Sequence, residues 1–557
     1  MRTADIANFG SGLANIALPE PTILHNITDG VYGLLHTHAT LRDRLFFFMG
    51  NSLWTSDGTP TNTQLVSSLD AIEPGLELRN PKVITASEQR FWVTANAVVG
   101  NSGSTRLLSS DGTAAGTVAV ATLHPDLSNL FNNTPDLLVA SDTLEGDRLP
   151  FIVNSEAGSE LWITDGQNTA GTRRLATFDR VESAYVRELI YGKVPVPLTV
   201  SGKYVFFQAT PSGSDSGANY DDALELWRSD GTVGGTVSLG ALPPIVASIS
   251  HDQPLDRSHN TYRSVPPNRI YAQAKSSRFD ASLELWTSDG TKNGTQRWLE
   301  AEYQEAGVQP AFLAALGDRF FTLGNFPNGL ELWVSRGTDE STQMVKRLSP
   351  QRDFLENTPW FAVHEDKLFF TALVARSESS NARTSPRRQQ ELWVTEGTPE
   401  TTIKLGDIRA SGEGVTSFKG RLFFNGISET GSELWTTDGT PEGTYQVMDL
   451  VPGVDSYPAP CPPPPPSIDT TNYCLPDILP RGSQVRSLTV HGDFLYFIAN
   501  DGDLFRTDGT ARNIQHVSSF IGGAFRDFPS NIVKMNETLF VMGYTDNELL
   551  LWALPED

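Results

Sequence analysis

The sequence predicts an all-β fold, a β-propeller of ten four-stranded blades, on three observations. An acidic, glycine-bearing phrase such as ELWTTDGT (433–440) recurs along the 557-residue chain. A short apolar stretch precedes each copy, an alternating stretch follows it, and no helical periodicity is sustained. Repeats of roughly 55 residues that each hold several short strands are typical of propeller blades. Ten blades exceed the usual range, so two smaller propellers that share one closing strand are the alternative.

A Leu-Trp step marks the third strand of each predicted unit. The residue after the leucine is tryptophan in eight copies, and it is Leu108 or Phe505 in the other two. Because adjacent strand residues point to opposite faces, two consecutive large apolar residues predict a strand that is covered on both faces. The leucines of the ten copies are Leu53, Leu107, Leu161, Leu226, Leu285, Leu332, Leu392, Leu434, Leu504 and Leu551.

The other strands of a unit lie on either side of this step. An apolar strand precedes it, as in RLFFFM (44–49), and an outer strand follows the turn, as in TYQVMDL (444–450). The inner strand has a weaker signal, with GLLHTHA (33–39) and GVTSFKG (414–420) among the candidates. These assignments complete a four-stranded antiparallel unit.

Only nine outer strands follow a Leu-Trp step, because ALPED alone comes after Trp552. The segment PTILHNI (21–27) has the pattern of the missing strand and precedes the first complete unit. We therefore expect it to complete the C-terminal blade and close a circular array, which removes exposed sheet edges. Residues 1–20 are then an N-terminal extension, and 21–557 form a single propeller.

The Asp-Gly-Thr segment that follows most of the Leu-Trp strands predicts a hairpin, and the turn at this position is here called the DGT turn. Aspartate accepts backbone N–H bonds within a turn, glycine allows positive φ, and threonine favours the returning strand. Arg336 and Glu396 replace the aspartate in two copies, and no cation site tolerates arginine as a ligand. The pattern therefore favours a structural turn over a calcium site for Asp57, Asp111, Asp165, Asp230, Asp289, Asp438 and Asp508.

ELWITDG (160–166), ELWRSDGT (225–232), ELWTSDGT (284–291) and ELWTTDGT resemble the ELWxxDGT repeat of bacterial exported and surface proteins. The resemblance covers the chain from about residue 22 to 552. It implies a propeller-like repeat domain on the cell surface or outside the cell, without a shared catalytic mechanism. The departures at Leu108, Phe505, Arg336 and Glu396 fall on packing and turn positions.

Composition excludes some partners. Lysine and arginine number 42 against 66 aspartates and glutamates, so the net charge is −24 and disfavours nucleic acid and anionic lipid. No stretch approaches the ~20 apolar residues of a membrane helix. The first residues lack the pattern of a secretory signal, so either the chain is not exported by that route or it is a mature form with an added Met1. The expected location is extracellular or the cell surface.

The two cysteines, Cys461 and Cys474, lie in the proline-rich stretch APCPPPPPSIDTTNYCLPD (459–477). Two nearby thiols with no other cysteine predict a local disulfide in an oxidising compartment. A pair of free thiols is the alternative. Zinc would require more ligands than this stretch offers.

The irregular insertions are predicted on the face opposite the DGT turns. In a four-stranded meander, the turn between the first two strands and the turn between the last two share one face, and the remaining connections share the other. Loops on a rigid scaffold usually carry function, so we expect binding on this insertion face. The insertions are 124–138, 211–223, 249–267, 373–390 and 451–477.

Two of these insertions hold candidate binding residues. Arg376, Arg383, Arg387 and Arg388 form a basic island suited to an acidic polymer or protein surface, with a solvated loop as the alternative. Asp215, Asn219, Asp221 and Asp222 form a loose set of oxygen ligands for calcium, and no other cofactor is expected.

The function that these observations favour is a non-enzymatic binding, adhesion or assembly scaffold. Its partner is expected to be a protein, a surface polysaccharide or another copy of the chain. The alternative is a polysaccharide-active hydrolase or lyase at the mouth of the channel. The best candidates for its acid–base chemistry are His251, Asp252, Asp256 and His259, but no G-x-S-x-G, HExxH or P-loop motif is present.

Overall fold

The computed structural model is all-β in the residues that it describes. Apart from strands, its regular elements are three-residue 3-10 helices at Leu69–Ala71, Thr169–Gly171, Asp339–Ser341 and Ala511–Asn513. The described residues are 22–27, 38–99, 102–123, 137–140, 142–155, 158–181, 198–212, 224–243, 245–250, 269–275, 283–297, 309–350, 360–376, 387–428, 431–450, 482–499, 503–517, 532–545 and 548–555.

The first half of the described chain holds β1–β21. β1 is Thr22–Ile27, and two four-stranded sheets follow it: β2 His38–Leu41, β3 Arg44–Met49, β4 Ser52–Ser56 and β5 Gln64–Ser68; then β6 Glu77–Ala86, β7 Phe91–Val99, β8 Ser102–Ser110 and β9 Val118–Leu123. The next strands are β10 Leu137–Val139, β11 Leu149–Ser155, β12 Gly158–Thr164, β13 Thr172–Val181, β14 Thr199–Ser201, β15 Tyr204–Pro211, β16 Glu225–Ser229 and β17 Val237–Ala241. A further sheet contains β18 Ile245–Ser250, β19 Ile270–Lys275, β20 Leu283–Ser288 and β21 Gln296–Arg297.

The second half repeats the same arrangement four times and ends with three strands. The four sheets are β22 Gln309–Leu316, β23 Arg319–Phe326, β24 Gly329–Ser335 and β25 Gln343–Ser349; β26 Phe361–His364, β27 Lys367–Arg376, β28 Arg387–Thr395 and β29 Ile403–Gly406; β30 Arg409–Phe418, β31 Arg421–Ser428, β32 Gly431–Thr437 and β33 Tyr445–Met448; β34 Arg486–His491, β35 Phe494–Ala499, β36 Asp503–Thr507 and β37 Ile514–His516. The last strands are β38 Ile532–Met535, β39 Thr538–Thr545 and β40 Glu548–Pro555.

These strands form antiparallel meanders, as predicted. Among the described residues there are eight four-stranded sheets and one eight-stranded sheet, β10 to β17, in which strands pair mostly in chain order. The eight-stranded sheet is a departure from the prediction: β13 pairs with β15 through Arg180↔Thr210 and Val181↔Ala209, which joins two four-stranded units edge to edge.

The two ends of the chain meet in one sheet. β1 pairs antiparallel with β40, and the paired residues include Ile23↔Trp552 and Ile27↔Leu549. The order of this sheet is β1-β40-β39-β38, so the outermost strand comes from the N-terminal end.

Leucines of the Leu-Trp steps form the centre of the core. Leu53, Leu332 and Leu434 are fully buried, and the equivalent leucines of the other copies are at most 2% exposed. The core also passes from each sheet to the next. At the seam between the chain ends, Leu45 and Phe47 of β3 pack with Phe540 and Leu551 of β39 and β40.

Several predicted boundaries shift. β2 begins at His38, so only the end of the candidate 33–39 lies in a described strand. β30 begins at Arg409, before the candidate 414–420. The insertion predicted at 373–390 is shorter, because β27 continues to Arg376 and β28 begins at Arg387. No helix in the described part of the chain has the length and apolar character to span a membrane.

Candidate functional site

The DGT turn at Asp438 is held by a closed set of hydrogen bonds. Asp438 Oδ1 accepts from the N–H of Thr440 at 2.9 Å and from its hydroxyl at 2.7 Å. Gly439 N–H donates to Thr437 Oγ1, and the Thr444 hydroxyl donates to the Thr440 carbonyl at 2.7 Å. The donors and acceptors that the motif supplies are therefore used within the turn itself.

The other aspartates of the motif make equivalent bonds. In each, Oδ1 accepts a backbone N–H from the residue two positions on, at 2.9–3.0 Å; the aspartates are Asp57, Asp111, Asp165, Asp230, Asp289 and Asp508. Partial burial opposes ionisation of Asp438, but the hydrogen bonds from Thr440 and the nearby Arg421 outweigh it and lower the pKa of the carboxyl. Within the described residues, no three His, Cys, Asp or Glu side chains cluster as a metal site would require.

The second glycine of the motif lies directly against the carboxylate in five of the turns. A Cβ at Gly443 would lie 2.0 Å from Asp438 Oδ1, and a Cβ at Gly116 would lie 2.0 Å from Asp111 Oδ1. The same collision is present at Gly171, Gly235 and Gly294. In the other two aspartate turns the position is asparagine, and its side-chain amide donates to the carboxylate: Asn62 to Asp57 Oδ2 at 2.6 Å and Asn513 to Asp508 Oδ2 at 3.1 Å.

The two turns without aspartate fill this volume differently. Ser341 stands where the second glycine is expected, and its hydroxyl accepts from the N–H groups of Arg336 and Thr338 at 3.0 and 3.3 Å. In the turn at Glu396, the Thr401 hydroxyl accepts from the N–H groups of Glu396 and Thr398, both at 3.2 Å. A hydroxyl thus replaces the carboxylate as the acceptor. The signal was present in the sequence, because only these two turns have serine or threonine at this position, where the aspartate turns have glycine or asparagine.

The first glycine of the motif lies against the preceding sheet. Gly112 has a φ of 87°, and a Cβ there would lie 2.6 Å from Cζ of Phe46 in β3. At the seam between the chain ends, a Cβ at Gly58 would lie 2.8 Å from Cγ2 of Thr538 in β39. Glycine is therefore needed both for the left-handed backbone and for close contact between sheets.

The glutamate of ELW forms a second repeated cluster, which the sequence interpretation missed. In four copies a carboxylate oxygen accepts the indole N–H of the tryptophan two residues later, at 2.9–3.1 Å. The other oxygen accepts from a cation on the outer strand; the pairs are Glu160–Arg174, Glu284–Arg297, Glu331–Arg347 and Glu391–Lys404. The basic residues after the DGT turns were the available signal.

Glu433 does not make the bonds to tryptophan and to a cation that these four glutamates make. It is fully buried, and its oxygens accept from Leu450 N–H at 3.2 Å, Ser483 N–H at 3.1 Å and the Ser483 hydroxyl at 2.6 Å. Burial raises the pKa of the Glu433 carboxyl against the effect of these bonds, and the charge of Asp449 adds to the rise. The buried indole N–H of Trp435 has no hydrogen-bond partner among the described residues.

The arginines of the predicted basic island lie partly in strands, which corrects their assignment to a loop. In the β27–β28 hairpin, Arg376 is opposite Arg387, and Arg388 is opposite Ala375. Arg383 lies outside the described residues. So do the weak calcium candidates, the two cysteines and the histidine-containing group at 251–259.

A cleft of about 320 Å³ lies between the β2–β3 turn and the β38–β39 turn. Arg42, Asp43, Lys534 and Asn536 contribute to its lining. The charges are mixed, so the cleft does not select a ligand of one sign.

No protein-family model and no curated protein sequence matches the chain. Among solved structures, the β-propeller domain of the Trilobed protease from Pyrococcus furiosus is similar at 10% identity and a TM-score of 0.29, over 67% of this chain and 96% of that domain. The computationally designed Ika8 protein is similar at 12% identity and a TM-score of 0.28, over 75% and 97%. Pyrococcus horikoshii acylaminoacyl peptidase is similar at 9% identity and a TM-score of 0.30, over 85% of this chain and 58% of the peptidase. At TM-scores near 0.3, these likenesses say nothing about the activity of this protein.

Proposed function

We propose that the protein is an exported or cell-surface binding scaffold, a ten-bladed propeller that contacts its partner through the insertion face. Two features support the single ring: β1 lies on β40, and the core joins β3 to β39 and β40. A closed ring leaves the blades no freedom to separate and holds the insertions at fixed positions.

The binding role is supported mainly by a difference between the two faces: one carries turns whose polar groups bond locally, and the other carries long connections. On the face of the DGT turns, carboxylates and hydroxyls are consumed by local bonds, as at Asp438 and Thr444. Three long connections, between β15 and β16, β27 and β28, and β33 and β34, leave the sheets at the strand ends opposite the DGT turns. The connection between β18 and β19 joins the first two strands of its sheet and leaves it at the same strand ends as the DGT turns, so the prediction that the insertion 249–267 belongs to the insertion face was wrong. We assign partner contacts to the face of the other three connections.

The β27–β28 hairpin suggests the chemistry of one contact. Strand pairing places Arg376 opposite Arg387, and Arg388 is the next residue of the same strand, in a protein of net charge −24. A local excess of positive charge favours a partner that carries carboxylates or sulfates. The partner classes that fit are an acidic surface polysaccharide, an acidic protein surface or the acidic body of a second copy.

The test shortens each of the two large insertions in its own variant and leaves the flanking strands intact. In one variant, an Asn-Gly turn replaces 377–386, since Arg376 and Arg387 are already paired. In the other, a short Gly-Ser linker replaces 451–481. Binding to a sulfated, a uronate-rich and a neutral polysaccharide is measured with product detection, and self-association is measured by sedimentation.

We expect at least one shortened protein to lose binding or self-association about tenfold at an unchanged unfolding midpoint. A triple replacement of Arg376, Arg387 and Arg388 by serine should weaken binding to acidic polymers only. Arg336→Ser, an exposed arginine on the opposite face, is the matched control. Unchanged binding in both shortened proteins contradicts the proposal, and polysaccharide cleavage supports a hydrolase or lyase instead.

A further inference from the structure

An exposed serine is hydrogen-bonded to a buried histidine across the junction between two neighbouring sheets. Ser417 Oγ lies 2.7 Å from His364 Nδ1. Ser417 is exposed near the end of β30, whereas His364 is the last residue of β26 and is only 9% exposed. A hydroxyl that solvent can reach, bonded to an imidazole nitrogen, is the arrangement of a nucleophile with its general base.

The two side chains are held by the first strands of their sheets. β26 and β30 both end at the turn to the second strand, at the same strand ends as the DGT turns. Trp360, just before β26, and Val415 of β30 belong to one hydrophobic cluster. Phe418, which follows Ser417, is buried as well. Strands and a shared core therefore fix the serine and the histidine relative to each other.

This combination is found at one junction among the described first strands. Four of these strands end in a buried apolar side chain: Leu41, Leu316, Phe418 and Met535. β34 also ends in a histidine, His491, but the next first strand, β38, has Lys534 at the position that corresponds to Ser417. The serine and the histidine therefore form a local pair and are not part of the repeat.

The neighbouring glutamate determines which ring nitrogen carries the proton. Glu365 Oε1 lies 4.0 Å from His364 Nε2, which is buried and has no hydrogen-bond partner among the described residues. A neutral imidazole has its single N–H on either Nδ1 or Nε2. A proton on Nε2 faces the negative carboxylate, whereas a proton on Nδ1 would leave the Nε2 lone pair facing that charge. The Nε2–H tautomer is therefore favoured, and Nδ1 accepts the hydrogen bond of the Ser417 hydroxyl.

We propose that Ser417 is an acyl acceptor, with its Oγ as the nucleophile and His364 Nδ1 as the base. The substrate class is a carboxylic ester whose leaving group is stable as an anion. A bond forms between Oγ and the carbonyl carbon, and the bond from that carbon to the leaving oxygen breaks, so that the leaving group departs with the electron pair. The hydroxyl proton passes to Nδ1 and then to water. The product is one O-acyl serine per chain, and this chemistry is separate from the partner binding proposed above.

The test is acetylation of the full-length protein by 4-nitrophenyl acetate. Release of 4-nitrophenolate is followed by absorbance, and the acetylated residues are mapped by mass spectrometry after an acid quench. Ser212, an exposed serine whose hydroxyl donates to the Thr177 carbonyl at 2.9 Å, is the internal control. Ser417→Ala removes the nucleophile and His364→Gln removes the base. Glu365→Gln removes the charge that favours the tautomer, and Glu365→Asp keeps it.

Ser417 should be acetylated at least about tenfold faster than Ser212, and His364→Gln should lower the rate at Ser417 to that at Ser212. Glu365→Gln should slow the reaction at Ser417 about threefold, because the carboxylate is exposed, and Glu365→Asp should react faster than Glu365→Gln. Equal rates at Ser417 and Ser212, or acetylation of lysines only, overturn the inference.

The urea midpoint of each variant separates lost reactivity from lost folding. Because His364 is buried, His364→Gln is judged only if its midpoint is close to that of the wild type. Ser417→Ala changes an exposed side chain, so it should keep the midpoint and lose the rapid release of one 4-nitrophenolate per chain. An unchanged release in Ser417→Ala, or an unchanged rate at Ser417 in folded His364→Gln, contradicts the proposal.

Discussion

The turns at Asp438 and Arg336 share their backbone geometry but use different side-chain hydrogen-bond acceptors. Both have a glycine with positive φ, 87° at Gly439 and 91° at Gly337. Both are closed by a threonine hydroxyl that donates to a carbonyl four residues earlier at 2.7 Å. The acceptor at the centre differs: it is a carboxylate oxygen in the first turn and the Ser341 hydroxyl in the second.

The comparison shows that the turn requires an acceptor at a fixed place, not a negative charge. The acceptor comes either from the first residue of the turn or from the residue five positions later. Beside an aspartate that second residue is glycine or a hydrogen-bonding asparagine, as in Asn62 with Asp57, whereas Ser341 accompanies Arg336, which points away to Asp318. The two positions should therefore behave as a coupled pair.

The largest expected effect is at the second glycine. Gly443→Ser should destabilise the protein by about 2 kcal/mol, because its Cβ enters the volume of the Asp438 carboxylate. The double variant Asp438→Arg with Gly443→Ser copies the turn at Arg336 and should recover at least about 1 kcal/mol. Urea unfolding measures both values.

Gly234→Ser is the control for this pair. Gly234 lies in the turn at Asp230, and a Cβ there meets no atom within 4 Å. Its free energy of unfolding should change by less than about 0.5 kcal/mol. Additive effects of the two substitutions in the double variant would show that the positions are independent.

A smaller effect distinguishes the two turns by the pH dependence of their contribution to stability. Asp438 has a lowered pKa in the folded protein, so its contribution is present above the unfolded value of about 4 and is lost as pH falls through the folded value. Asp438→Asn should therefore lose less stability than the wild type between pH 5 and pH 3. The difference should be roughly 0.5 kcal/mol, because solvent screens a carboxylate that is 38% exposed.

The matched control replaces Arg336 by asparagine, in a turn whose acceptor is a hydroxyl. The urea midpoint of Arg336→Asn should depend on pH as that of the wild type does, apart from the loss of the weak, exposed ion pair between Arg336 and Asp318. A pH slope in Asp438→Asn equal to that of the wild type would mean that the carboxylate charge contributes nothing to the turn.

Much of the strand pattern was predictable, because it depends on short-range signals. The Leu-Trp steps indicate strands covered on both faces; Leu53 and Leu434 are fully buried, but Trp54 and Trp435 are partly buried, so the second face is covered less completely than predicted. The hairpin after most of these steps follows from the Asp-Gly pair in the turn. Boundaries at insertions were less certain, since polar residues such as Arg376 and Arg387 continue a strand when a partner strand is present.

The candidate site depends on contacts that no local pattern contains. Glu433 and Ser483 are fifty positions apart in the chain, and the residue opposite Trp435 is Gln446 rather than a cation. The pairing of β13 with β15 likewise depends on how far two strands extend past each other. Sequence periodicity identifies the strands, but contacts such as these can be found only once the strands are assembled into sheets.

The smallest expected effect concerns the arginine itself. Arg336 Nε lies 2.7 Å from Asp318 Oδ2, but both side chains are about 60% exposed. Such an ion pair contributes roughly 0–0.5 kcal/mol, so Arg336→Ala should leave the urea midpoint nearly unchanged.

Asp438→Ala should cost about 1 kcal/mol, because it leaves the N–H and the hydroxyl of Thr440 without their acceptor. Equal losses in the two variants would mean that the first residue of the turn matters for a reason other than its acceptor, and the equivalence of carboxylate and hydroxyl would be wrong.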